Sequence, residues 1–326
     1  MALDMAAVIR VERAVGATAR DVPRLLLAVS GGRDSMVLLD TVARVVVTRP
    51  SLIVATFDHG TGPSARAAAR LVLAECAARG IPCVLGRTGS VLRGEAAWRE
   101  ARWDFLRGVA AREDARIATA HTRDDQLETV VIRALRDAGA RGLAGLYART
   151  DVARPLLDVD RADVGAYAIV RRVRYHDDPT NVSRAHLRNR VRLDLLPALT
   201  RVHPRFAEEM LLLSQRAAGW RAQMEEIVDA LPVERLDERT VRIASASLRG
   251  YDAAALRILW PAIATRAGVT MDRRGTERAA AFTADVLAKR TASSESGVKG
   301  GRRGVIQLSG GAEIAALADA FVLRGN

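Results

Sequence analysis

Along the first 140 residues, short apolar runs alternate with longer stretches whose apolar positions recur at helical spacing. Residues 24–29 (RLLLAV) stop at a Gly turn and predict a buried strand, followed by a helix over 35–47. A second run, 51–57 (SLIVATF), ends at Asp58-His59-Gly60. The Ala-rich stretch 64–79, closed by Gly80, predicts a helix, and 81–85 (IPCVL) a third strand. From 94 to 113, Ala97, Trp98, Ala101, Phe105 and Val109 mark one helical face. Residues 116–120 predict a fourth strand and 123–136 a helix. This alternation predicts an α/β fold, a doubly wound and mostly parallel sheet with helices on both faces. Ligands of such sheets sit at the carboxyl ends of the strands.

Beyond residue 137 the pattern changes. Gly139, Gly142 and Gly145 mark a break, and Arg154-Pro155 opens a new segment. The rest reads as mainly helical, over about 160–172, 184–196, 204–230, 252–267 and 272–290. A polar linker is expected at 291–301, with a few short strands around Gly310-Gly311. Three regions follow: a first domain at 1–150, connecting helices at 151–200 that complete it, and a mainly helical domain at 201–326.

Charge adds a partner class. The 326 residues carry 50 basic against 38 acidic side chains, a net charge of +12, and only Lys289 and Lys299 are lysines. The sharpest cluster, 184–205, sets six arginines against Asp194 alone. A basic surface favours a polyanion such as nucleic acid. No apolar run is long enough to span a bilayer. The first 13 residues carry Asp4, Arg10, Glu12 and Arg13, so no signal peptide is read and a cytoplasmic setting without membrane contact is expected. Cys76 and Cys83, seven apart, form neither a disulfide framework nor a zinc site.

The chemistry lies in three polar motifs, each following a strand. Ser30, Gly31, Gly32, Arg33, Asp34 and Ser35 join the first strand to its helix. Glycines let backbone approach an anion, and a helix start offers free N–H groups and the positive dipole end. No Gly-Lys-Ser/Thr follows, so this is not a Walker A loop. Phe57 and Asp58, in Phe-Asp-His-Gly, follow the second strand; alone they read equally as a turn with an Asx cap. His121, Asp124, Asp125 and Glu128 follow the fourth. Asp125 and Glu128 share a helix face and, with His121, suit a cationic substrate or Mg²⁺. Either Asp124 or Asp125 also suits a helix cap.

The string SGGRDS resembles the pyrophosphate loop of N-type ATP pyrophosphatases. With FDHG, EAAWREARWDFL, HTRDDQLETVVIRALRDAGARGLAGL, RPLL and DDPTNVSRAHLRNRVRLDLLPAL in order over about 24–200, the chain is similar to the tRNA(Ile)-lysidine synthetases. It departs from them at Thr61-Gly62-Pro63, Trp103 and Asp137-Ala138, and it is short for the family. The resemblance implies an ATP-binding catalytic domain, a tRNA-binding C-terminal domain and a two-step ligation. Cytidine O2 in the wobble position of isoleucine tRNA with a CAU anticodon attacks the α-phosphate of ATP and releases pyrophosphate. An amine of free lysine then attacks C2 and expels AMP. The resemblance places ATP on 30–35, with Asp34 orienting phosphate, Mg²⁺ or both, and adenosine beside Phe57 and Asp58. Arg102 is expected to stabilise the adenylate. Asp124, Asp125 and Glu128 are expected to bind lysine, and His121 or a carboxylate to act as base. Arg184, Arg188, Arg190 and Arg192 are expected to meet tRNA phosphates. Oligomeric state is open, with room for a homodimer.

Other readings remain. A tRNA 2-thiolation enzyme shares SGGxDS but needs reactive cysteines, usually Cys-x-x-Cys, which Cys76 and Cys83 do not form. An amide ligase of the GMP or NAD synthetase kind leaves the Arg-rich helices unexplained. A module that merely binds nucleotide has no need of the acids in HTRDDQLET.

Overall fold

The computed structural model describes residues 2–19, 22–45, 51–60, 62–88, 94–177, 183–294 and 304–326. Residues 178–182, Thr61 and most of the expected linker at 291–301 lie outside them. The chain divides into two compact units, Met1–Arg136 with Gly145–Gln215, and Asp137–Ala144 with Arg216–Asn326. Among the described residues no helix is long and apolar enough to cross a membrane.

The first unit opens with α1 (Ala2–Ala19), which the sequence reading left unassigned. Then come β1 (Arg24–Ala28), α2 (Arg33–Val45), β2 (Ser51–Asp58), α3 (Pro63–Ala78), β3 (Cys83–Arg87), α4 (Glu95–Glu113), β4 (Arg116–Ala118) and α5 (Arg123–Leu135). The four strands are parallel in the order β3-β2-β1-β4. Period-two alternation builds both faces. Leu25 and Leu27 of β1 join Val8, Val11 and Val15 of α1, Leu38 of α2 and Tyr167. Leu26 points the other way, to Ile53 and to Leu106 and Val109 of α4. Ala153 pairs in parallel with Ala118 and carries the 150s along the β4 edge.

The unit continues through α7 (Arg161–Val170), α8 (Leu187–Arg190), a π-helical turn (Val191–Leu195) and α9 (Leu196–Val202). The first part of α10 (Phe206–Ala230) also belongs here. Buried Gln126 donates to Ser214 Oγ at 3.0 Å, so residues up to 215 pack with this unit.

The second unit holds α6 (Ala140–Leu143), the rest of α10, α11 (Ala253–Thr265) and α12 (Arg273–Ser294). It adds a five-stranded antiparallel sheet, ordered β5-β6-β9-β8-β7. Its strands are β5 (Val233–Asp237), β6 (Thr240–Ala244), β7 (Val305–Gln307), β8 (Glu313–Ala316) and β9 (Ala320–Arg324). The strands near Gly310 were expected; β5 and β6 are an addition to the helical reading. Trp260 and Phe321 centre this core, and Trp260 Nε1 donates to Thr283 Oγ1 at 2.9 Å. Helix α12 continues four residues into the stretch read as linker, because no Gly or Pro stops it before Gly297.

Candidate active site

Strand order 3-2-1-4 puts a switch point between β1 and β4, where the chain leaves in opposite directions and opens a crevice at the carboxyl ends. Two of the three motifs flank it: residues 30–35 follow β1 and residues 121–128 follow β4.

The loop is held by its own hydroxyls. Ser35 Oγ donates to Gly32 O at 2.8 Å and accepts from Ser30 N–H at 3.2 Å. Ser35 is therefore buried inside the turn, its hydroxyl bonded to the loop itself. Gly31 has φ +87°, and a Cβ there stands 2.8 Å from the carbonyl oxygen of Ala68. Only glycine fits both conditions. Gly31 O accepts from His176 N–H at 2.9 Å, and His176 Nε2 lies 2.8 Å from Ser64 Oγ. The first-turn amides of α2 have no partner in their helix, which leaves a ready anion site.

Asp34, in that first turn, accepts from Arg33 Nε at 3.2 Å and lies 3.8 Å from Arg161 Nε. Burial lifts its carboxyl above the ordinary range, against the pull of Arg33 and Arg161. Among the described residues no three acidic, His or Cys side chains gather as a metal cage. One carboxylate is nonetheless the usual protein share of a Mg²⁺ site completed by phosphate oxygens and water.

After β4, Thr122 caps α5. Its hydroxyl accepts from Asp125 N–H at 3.4 Å, and the Asp125 carboxylate accepts from Thr122 N–H at 2.8 Å. The N-cap is thus Thr122, with Asp125 closing a capping box. His121 Nδ1 is 2.8 Å from Thr119 Oγ1, and burial pushes the imidazole pKa down to about 4, so it is neutral near pH 7.

Asp125 and Glu128 share their face as the spacing predicted, but arginines already fill it. Glu128, only 1% exposed, accepts from Arg161 at 3.0 Å, Arg188 at 2.7 Å and Arg192 at 2.7 Å. Asp125 accepts from Arg161 and Arg188, each at 2.9 Å. Burial raises both carboxyls, and the arginines, with a hydrogen bond from Thr122 N–H to Asp125, outweigh it and hold both below the usual range. Asp125 and Glu128 thus face guanidinium groups, and Arg188 and Arg192 turn toward these carboxylates. The physical reason is the low exposure of Glu128, since a buried charge requires compensation. Arg184 pairs instead with Asp194 at 3.0 Å, and Arg190 is exposed.

The remaining expected residues lie toward β2. The Phe57 ring packs on His59 (4.9 Å between centroids) and Phe105 (5.4 Å), over Gly86, where a Cβ meets both phenyl rings at 2.7 Å. Asp58 is buried and accepts from Gly60 N–H at 2.9 Å, the Asx turn weighed from sequence. Arg102 carries a buried Nε without a hydrogen-bond partner among the described residues, and burial lowers its pKa.

A model of the PP-loop domain matches residues 5–199. A tRNA(Ile)-lysidine synthase of Bradyrhizobium diazoefficiens is 36% identical over 253 residues, covering 74% of this chain and 70% of that protein. The chain belongs to the PP-loop family, among the tRNA(Ile)-lysidine synthases. A relative named tRNA(Ile)-lysidine synthase from Bifidobacterium longum (strain DJO10A) is 37% identical over 272 residues; the match spans 76% of this chain and 64% of the relative. Among solved structures, the U34-tRNA thiolase NcsA from Methanococcus maripaludis superposes with a TM-score of 0.57 at 20% identity, over 66% of this chain and 80% of that one, a likeness of fold.

Within this PP-loop protein the residue that sequence reasoning missed is Arg161. Its side chain, 17% exposed, touches Asp125 and Glu128 and approaches Asp34 and Asp124, while its backbone N–H donates to Asp124 at 2.7 Å. One signal existed. Arg161 opens α7, and a cation in a first helical turn runs against the dipole, so it needs another reason to be there.

Proposed function

We propose that this chain ligates lysine to C2 of the wobble cytidine in CAU-anticodon isoleucine tRNA, with ATP cleaved to AMP and pyrophosphate, in the cytoplasm. One observation carries the reading. The phosphate loop after β1 and the acid-bearing helix after β4 flank one crevice and are tied together by Arg161. The loop amides and the α2 N-terminus hold the departing pyrophosphate. Asp34 holds Mg²⁺, which when bound neutralises phosphate charge. Arg102, with an unmet donor, stabilises the adenylate. His121, neutral near pH 7, or a neighbouring carboxylate would accept a proton from the attacking amine. Arg190 is the one exposed arginine of α8 available to tRNA phosphate.

Sulfur transfer is disfavoured by placement. Cys76 is buried, and its hydrogen bond with Cys83, followed by burial, pushes its thiol up. Cys83 begins β3, at the amino end of the sheet, opposite the crevice.

The test is nucleoside mass spectrometry of CAU isoleucine tRNA incubated with protein, ATP, Mg²⁺ and lysine. A mass gain matching lysidine, lost in Asp34→Ala, supports the reading. No gain, with AMP released only when sulfide or ammonia is supplied, refutes it.

A further inference from the structure

The two thiols of the chain take no part in the crevice, yet the fold brings them side by side. Helix α3 ends in a turn that folds the chain back on itself. Cys76 O accepts from Arg79 N–H at 3.1 Å and from Ile81 N–H at 3.0 Å. Beyond the turn the chain already runs extended, since Pro82 O accepts from Val54 N–H of β2 at 2.9 Å. Side chains two apart on an extended segment share a face, so Ile81 and Cys83 point the same way. Both pack on the cluster that holds Cys76, with Val72 of α3 and Val54 of β2. There the Cys76 thiol donates a hydrogen bond to the Cys83 sulfur.

The pair is asymmetric. Cys76 is 1% exposed while Cys83 is only half-buried, so a dissolved oxidant meets Cys83 first. The hydrogen bond holds the Cys83 thiol below its usual range and, with burial, pushes Cys76 above it. A thiolate is the attacking form of cysteine, so Cys83 is the nucleophile and Cys76 the resolving thiol.

We propose that Cys76 and Cys83 are a modification site, converted by a hydroperoxide into one reversible disulfide that spares Cys83 from irreversible oxidation. The Cys83 thiolate attacks the outer peroxide oxygen. An S–O bond forms, the O–O bond breaks, and the departing oxyanion takes up the proton that Cys83 released. Cys83, now a sulfenic acid, has given two electrons to the peroxide. The Cys76 sulfur then attacks the Cys83 sulfur. The S–S bond forms, the S–O bond breaks, and hydroxide leaves as water with the Cys76 proton. An added thiol reverses the bond by exchange. A single reversible bond of this kind serves redox response rather than a structural framework. Cys83 begins β3 at the amino end of the sheet, opposite the crevice, so this chemistry is independent of the ligation.

Trypsin cuts between the two residues. Cleavage after Arg70, Arg79 and Arg87 leaves Cys76 in peptide 71–79 and Cys83 in peptide 80–87. The reduced full-length protein is treated with hydrogen peroxide, its remaining thiols are blocked, and the digest is read by mass spectrometry. The expected product is peptide 71–79 joined to peptide 80–87, two hydrogen masses lighter than the pair and separated again by dithiothreitol. The protein still runs as a single chain on a gel without reductant. In Cys76→Ala, Cys83 carries added oxygen instead, and its irreversibly oxidised forms rise about tenfold over the parent. In Cys83→Ala, oxidation of Cys76 slows about tenfold or more. A parent that accumulates sulfinic Cys83 as fast as Cys76→Ala, that links only between chains, or that keeps both thiols through the treatment overturns the proposal. The parent measurement needs no variant, so it stands even where a substitution prevents folding.

Discussion

Changing Glu128 to Gln removes one charge and nearly no volume, which isolates the electrostatics of the arginine network. Glu128 receives four N–H contacts from three guanidinium groups, at 2.7–3.2 Å. Each charge-assisted bond is worth about 1.5–3 kcal/mol before solvent competes. The arginines are not fully buried: side-chain exposure is 17% for Arg161, 36% for Arg188 and 29% for Arg192, so water screens much of that sum. Gln also relieves the desolvation of a carboxylate 1% exposed, which offsets part of the loss. We expect a net destabilisation of about 2–4 kcal/mol, or roughly 5–10 °C in Tm. Two compact units make a single global transition unsafe. The assay is therefore hydrogen exchange on α5 amides, supported by calorimetry. The pH dependence has a definite sign. Both carboxyls are held below their ordinary values, so their stabilisation is present above the unfolded pKa values, about 3.9 for Asp125 and about 4.3 for Glu128, and lost as pH falls through the folded values. Glu128→Gln flattens that acid limb. A variant whose α5 protection and acid limb both match the parent refutes the idea that Glu128 is charged and organises the arginines.

Three further outcomes are expected. Gly31→Ala, strained at φ +87° and 2.8 Å from Ala68 O, lowers tRNA-dependent ATP–pyrophosphate exchange about a hundredfold, the cost of a misplaced positioning group; exchange within threefold of the parent contradicts the loop assignment. Thr122→Ala loses the α5 cap and costs about 1 kcal/mol, read by hydrogen exchange on the α5 amides; unchanged protection there contradicts the cap. The His121 imidazole, titrated by NMR, stays neutral down to about pH 5; because its folded pKa lies below the unfolded value, it erodes stability as pH falls from about 6.5 toward 4, and an observed pKa near 6.5 contradicts its burial.

The parallel sheet was legible because each strand is an apolar run closed by a turn residue, and because helical spacing resumes after each turn. Helix α1 carries the same helical spacing in Val8, Val11 and Val15. Strand β5 had no such signal. Four of its five residues are exposed, and its stability comes from pairing with β6, which in turn pairs with β9, some eighty residues later. At the crevice the phosphate loop could be found from sequence because its glycines serve a local backbone need. The fate of Asp125 and Glu128 could not, because Arg161, Arg188 and Arg192 reach them across 33 to 64 residues of chain. Local spacing shows that two carboxylates share a face, but not which cations meet them.

That separation matters during synthesis on the ribosome. Glu128 is made 33 residues before Arg161 and 64 before Arg192. At about 5–20 residues per second, the last arginine follows the glutamate by roughly 3–13 seconds. Until then β1, β2, β3 and β4 can already pair, while α5 carries carboxylates that favour staying wet. The nascent crevice therefore stays loose at its β4 side and locks only when the basic segment emerges, so a ribosome stalled before residue 188 should display a formed sheet with an unprotected α5.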